Sequence, residues 1–240
     1  MLQNVALDQL LLLDIETTPA YKDFSQVPEP LQSLWMDKMT KTLPDSTDWA
    51  ETYADRAGIF AEFGKIVCIS VGFFHAENGR YQLRVKSFFS DDEAALLHDF
   101  LQLVQKFHIR FPRFQFAGHN IKEFDIPYIC RRSVVLQCAL PQALQLHGFK
   151  PWELPMLDTM QLWRFGDFKN YTSLRLLTAI LDIPTPKDDI DGSMVAKVYW
   201  EERNLQRIAD YCQKDVVAVA QLLLRFKCLP LMAPEDVVLA

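Results

Sequence analysis

The chain has 240 residues, half of them apolar and 23% charged, with a formal net charge of −6. Those figures describe an ordinary globular chain with one large core or at most two small domains, and they exclude a disordered or fibrous protein. The acidic balance also argues against a uniformly basic nucleic-acid binder. The charge is segregated, however: residues 106–175 carry ten Lys/Arg against five acids, a local +5, and the remainder is −11. A positive central segment is able to follow a phosphate backbone while acidic clusters elsewhere hold cations; an ordinary surface with uneven charge is the plain alternative. The five cysteines, Cys68, Cys130, Cys138, Cys212 and Cys228, include no CxxC pair and read as buried thiols in a reducing compartment. No basic segment precedes a long apolar run and no stretch approaches bilayer length, so a cytoplasmic soluble protein is expected.

Leu10 to Leu13 run directly into Asp14-Ile15-Glu16-Thr17-Thr18, and Pro19 closes the stretch. A short apolar run bounded by a breaker predicts a buried strand. Leu31, Leu34, Trp35 and Met39 then fall on one helical stripe, and Asp48 with Glu51 resembles an N-terminal cap for a helix from Trp49. Trp49, Tyr53 and Phe60 are assigned to the core. Residues 20–63 therefore read as a helical insertion against or over the site, with lid, dimer surface and packing element as alternatives. Ile66 to Phe74 and Tyr81 to Phe89 read as strands around Glu77-Asn78-Gly79, a hairpin signal that makes three consecutive antiparallel strands with the first.

Ser90-Asp91-Asp92-Glu93 caps a predicted helix to about Phe107, burying Leu96, Leu97, Phe100, Leu101, Leu103 and Val104. Phe114 to Ala117 is a fourth, short strand, followed by a helix near Pro127 that runs toward Leu136. The rest reads as helical: Ser173 to Leu181 with Thr172 as its cap, Ser193 to Glu201, and a long helix from about Asn204 to Lys227. Strands, then alternating elements, then helices predict one α/β domain over 1–240 with a mixed central sheet.

Three short stretches carry chemistry. In a strand alternate side chains share a face, so Asp14 and Glu16 point the same way. Two like charges there are costly to bury unless a cation sits between them; a solvated turn at the strand end is the bland alternative. Gly118-His119-Asn120-Ile121-Lys122-Glu123-Phe124-Asp125 lies where the fourth strand hands over to a helix, a usual ligand position in α/β sheets. Asp125 near the helix start is also readable as an ordinary cap. In Tyr211-Cys212-Gln213-Lys214-Asp215 a spacing of four puts Tyr211 and Asp215 a turn apart on one helix face.

Taken in order, DxE, HNxxxFD and YxxxD resemble the three motifs of DnaQ-like 3′–5′ exonucleases of the RNase H-like superfamily, the tyrosine marking the DEDDy branch. The chain is similar to stand-alone exonucleases related to the proofreading domain of family B DNA polymerases. Met156–Met160 and Pro186–Ser193 look like the segments such proteins carry between their second and third motifs. The resemblance implies an RNase H-like five-stranded mixed sheet, three antiparallel strands then parallel ones, flanked by helices, with a helical insertion after the first strand. It also implies that Asp14, Glu16, Asp125 and Asp215 hold two divalent cations, Mg²⁺ or Mn²⁺, and that Tyr211 orients the attacking water. The histidine branch needs His at 210, where this chain has Asp210. Thr17, Asn120, Phe124, Arg131 and Lys187 are the candidate substrate contacts, while His119 reads as structural. A core position is the alternative for Phe124, and a solvated charge is the alternative for Lys187.

The expected activity is hydrolysis of single-stranded DNA from its 3′ end, with a polymerase or repair partner in trans. A 3′–5′ exoribonuclease on the same scaffold and a catalytically silent nucleic-acid-binding module are the alternatives. The motifs act on phosphate and do not read the sugar.

Overall fold

The computed structural model describes residues 2–42, 48–77, 80–150, 152–167, 169, 171–184 and 190–240. Strand β1 (Leu10–Pro19) lies at its centre, and its two side-chain rows are both apolar where the core covers them. Leu11, Leu13 and Ile15 enter one core cluster, while Leu10 and Leu12 enter a second on the opposite face. Such a strand needs helices on both sides.

The insertion after β1 holds helices α1 (Glu29–Thr40) and α2 (Trp49–Arg56). Asp48 caps α2 by accepting from the amides of Ala50 and Glu51. Trp35, Met39 and Tyr53 are buried in a satellite core with Val27, Ala57 and Phe63, with Trp49 and Phe60 partly buried against it. Leu34 departs from the predicted stripe and is 55% exposed, because only one edge of α1 meets this small cluster. The insertion is fastened to the main body. The Tyr128 hydroxyl donates to the Gly58 carbonyl at 2.9 Å, and Arg132 Nη1 donates to the Ala61 carbonyl at 2.9 Å.

Strand β2 (Gly64–Glu77) pairs antiparallel with β1, and β3 (Arg80–Phe89) antiparallel with β2. Glu77 faces Arg80 across the ladder, while Asn78 and Gly79, the predicted turn, lie outside the described residues. Helix α3 (Glu93–Arg110) is capped by Asp92 and buries the predicted positions, with Leu103 only partly covered. Strand β4 (Gln115–Gly118) runs parallel to β1, and helix α4 (Asp125–Val135) follows with Pro127 in its first turn. Strand β5 (Met156–Asp158) adds to β4 in parallel and passes into α5 (Thr159–Arg164).

Helix α6 (Leu174–Ile180) takes Ser173 as its N-cap, not Thr172. The Thr172 carbonyl is occupied instead by His119 Nε2. The predicted helix over 193–201 is an irregular run: α7 (Val195–Lys197) continues as a π-helical stretch to Glu202. Helix α8 (Leu205–Phe226) is capped by Asn204 and lies on the face of the sheet opposite α3 and α4. A last strand, β6 (Val237–Leu239), runs parallel to β3.

The sheet order is β5-β4-β1-β2-β3-β6, so the expected five strands are six. The added one is a three-residue edge strand too short to carry a two-residue period. No helix among the described residues is long and apolar enough to cross a membrane.

A buried ion pair locks the α3/α4 side. Arg132 Nε and Nη2 meet Glu93 Oε1 and Oε2 at 2.9 and 2.6 Å, and Glu93 Oε1 also accepts from the Ile66 amide at 2.8 Å. Both charges are desolvated yet hydrogen-bonded to each other and to backbone groups, the condition under which a buried pair is tolerated.

Candidate metal site at the end of β1

The apolar rows of β1 end where the core ends, and the row facing α8 continues as Asp14 and Glu16. Helix α8 reaches them because the sheet is thin beneath it. A Cβ on Gly72 of β2 would stand 2.7 Å from Val216 Cγ1, so glycine there admits the helix. The approach carries Tyr211, Cys212 and Asp215 to the carboxylates. Cys212 Sγ lies 3.2 Å from Asp14 Oδ2, and ligand atoms of Asp14, Glu16 and Cys212 all fall within 4.8 Å of one another.

Asp125 arrives from the other side. Gly118 lets β4 pass against β1, since a Cβ there would stand 2.8 Å from the Leu13 carbonyl oxygen. The chain then turns through Asn120 in the left-handed region (φ 63°) and starts α4 at Asp125. Asp125 Oδ1 accepts at 3.1 Å from the amide of Ile15, the residue between Asp14 and Glu16 in β1.

The electrostatics are those of a buried anionic cluster. Burial, then the charges of Asp215 and Asp125, push the Asp14 carboxyl well above the ordinary carboxylate range, against a lowering hydrogen bond from Cys212. Burial, then Asp14 and Asp215, do the same to Glu16. Asp125 is raised to about 7, by burial first and by Asp158 and Asp215 after it. The Tyr211 hydroxyl, hydrogen-bonded to Asp215, is also pushed up by burial and by Asp215, Glu16 and Asp14. A divalent cation held by oxygen ligands removes this repulsion, and the donor set suits one.

The structure thus brings Asp14, Glu16, Tyr211 and Asp215 together, with Asp125 within electrostatic reach; Asp125 and Asp215 stay outside the tightest group, whose third member is Cys212. Thr17 follows a bulge in the β1–β2 register and is half-buried. Asn120 Oδ1 is buried and has no hydrogen-bond partner among the described residues. Phe124 packs on Tyr128 at 5.5 Å. Arg131 is exposed on α4, about 120° round the helix from Asp125. Lys187 lies outside the described residues.

Two residues escaped the sequence reading. Cys212 lies inside the YxxxD stretch, where the sequence marks it only as a buried thiol. Asp158 is 2% exposed and accepts from the amides of Asn120, Lys122, Met160 and Gln161, so it caps α5 and clamps the Asn120 turn together. His119 is held at both ring nitrogens, by Thr159 Oγ1 and the Thr172 carbonyl.

Residues 59–233 match the model of a family described as a predicted 3′–5′ exonuclease related to the exonuclease domain of PolB. The chain belongs to this family. The matched stretch includes Asp125, Tyr211 and Asp215 and begins after β1, so Asp14 and Glu16 lie outside it. A family B DNA polymerase from the hyperthermophilic archaeon Pyrobaculum calidifontis has a similar fold, with a TM-score of 0.50 and 16% identity over 90% of this chain. The chain spans only 24% of that polymerase. No curated protein matches the sequence. Membership makes the chain a relative of nuclease hydrolases on a mixed α/β sheet of the PolB exonuclease type.

Proposed function

We propose that this chain is a metal-dependent 3′–5′ exonuclease of DEDDy type that hydrolyses single-stranded DNA from its 3′ end. The observation that carries this reading is the convergence of Asp14 and Glu16 from β1 with Asp215 from α8 and Asp125 from α4. A binding module has no use for four clustered carboxylates that repel phosphate. In this reading 1–240 is one exonuclease unit with 20–63 as its helical insertion.

Asp14, Glu16, Asp125 and Asp215 would hold the cations. The chemistry supplied by bound divalent cations, two Mg²⁺ or Mn²⁺ here, is activation of the attacking water and neutralisation of charge on the scissile phosphate. The Tyr211 hydroxyl, pushed up by its surroundings, keeps its proton for Asp215, and its oxygen would orient the water as a hydrogen-bond acceptor. Asp125 is oriented by the Ile15 amide, which ties its carboxylate to β1. Among the substrate contacts, Asn120 has the best support, because its buried carbonyl oxygen accepts no hydrogen bond among the described residues and its turn leads into Asp125. Thr17 adjoins Glu16; Phe124, Arg131 and Lys187 rest on the motif resemblance alone. We further propose a proofreading or repair role in the cytoplasm, with a polymerase or repair partner in trans.

The test is incubation of 5′-labelled DNA and RNA single strands of matched sequence with Mg²⁺, Mn²⁺ or EDTA. A metal-dependent ladder shrinking from the 3′ end, faster on DNA, is the expected result. A ladder on RNA alone would replace the substrate class, and intact oligomers from folded protein would refute the activity.

A further inference from the structure

The trio at the end of β1 is not an all-oxygen set. Cys212 is fully buried in the middle of α8, and its Sγ stands 3.2 Å from Asp14 Oδ2. Bond lengths of about 2.0–2.3 Å to a tetrahedral cation put neighbouring ligand atoms about 3.5 Å apart. The sulfur and the carboxylate oxygen already have that spacing. Glu16 supplies an independent pointer: it is 7% exposed, and its carboxylate accepts no hydrogen bond among the described residues. Asp14 keeps part of its surface open, which leaves a way in from solvent.

A hard cation such as Mg²⁺ has no use for a thiol, and beside it Cys212 stays a hydrogen-bond donor to Asp14. A softer cation gains a strong bond from the same sulfur. We propose that Cys212 makes this site thiophilic: Zn²⁺ or Cd²⁺ binds at Asp14 and Glu16 with Cys212 Sγ as a ligand, and excludes Mg²⁺. On binding, the S–H bond breaks, the proton passes to solvent and the sulfur lone pair forms the metal bond. No electron is transferred. The resulting block of hydrolysis rests on the exonuclease reading above; the coordination itself does not.

The experiment titrates Cd²⁺ into the metal-free protein and follows the ultraviolet cadmium–thiolate charge-transfer band. The parent is compared with Cys212→Ala and Cys212→Ser, with Cys228→Ser controlling for the exposed thiol. The expected result is a band component lost in both Cys212 variants and retained in Cys228→Ser. Asp14→Asn, which leaves the thiol in place, weakens that component by about tenfold or more. A band in the Cys212 variants equal to the parent's, or one indifferent to Asp14→Asn, overturns the proposal. In parallel, Zn²⁺ is added to Mg²⁺-supported oligomer degradation, where Cys212→Ser resists the block by about tenfold or more. If the parent degrades nothing, the exonuclease reading falls while the cadmium band still decides the coordination.

Discussion

The Ile15 amide donates to Asp125 Oδ1 at 3.1 Å, joining two residues 110 positions apart in the chain. Ile15 turns its side chain into the core, while its amide belongs to the backbone between Asp14 and Glu16. One backbone bond therefore sets the position of α4's first residue against β1. Asp158 supports it from behind by holding the amides of Asn120 and Lys122 at 3.1 and 3.2 Å.

Asp158→Ala should accordingly cost more activity than its distance from the phosphate suggests. It frees the Asn120 turn and removes the α5 cap, which by itself is worth about 0.5–2 kcal/mol. The expected outcome is a loss of about 100-fold in turnover, as for a misplaced reacting group, with a lower melting temperature. Steady-state hydrolysis and thermal melting on one preparation check both.

The motifs were legible because their periods are short. A spacing of two on β1 and of four on α8 brings each pair of side chains onto one face without tertiary information. The partners that orient them were not legible. Asp158 acts through amides 36 to 38 residues away, and Cys212 meets Asp14 across 198 residues. Neither contact has a local pattern. The same holds for β6, whose three residues become a strand only because the β3 edge lies open to them. Leu34 shows the converse: a correct helical stripe with too little core to cover it.

The metal-free protein should lose stability as pH rises toward neutrality. Asp125, at about 7 in the folded chain, lies above its ordinary value, and Asp14 and Glu16 shift in the same direction. Folding therefore favours protonated carboxyls; the stabilisation is complete below about pH 4 and fades as pH passes through about 7. In EDTA the melting temperature should fall from pH 5 to pH 8. Asp125→Asn flattens that slope, and saturating Mg²⁺ opposes it. Melting curves across this window are the check.

Gly72→Ala tests the seat of α8. The added methyl meets Val216 Cγ1, a β-branched side chain with little freedom to turn away. Overpacking of this kind costs about 1–3 kcal/mol. Because the displaced helix carries Tyr211 and Asp215, turnover should fall further than stability explains, as measured under conditions where the variant is fully folded.

Arg132→Ala should destabilise by about 3–5 kcal/mol, since it leaves Glu93 buried without its partner. Replacing both Glu93 and Arg132 by apolar residues should recover part of that loss. Denaturant unfolding of the single and double variants measures it.

In the proposed exonuclease, β1, outside the stretch matched by the family, completes the metal site. The most direct measurement is the rate at which Asp14→Asn shortens a 5′-labelled single-stranded DNA in Mg²⁺, beside the parent protein. A loss of about 10³-fold or more is expected, with a metal-free melting temperature unchanged or raised. An Asp14→Asn protein that degrades the strand at the parental rate would contradict it.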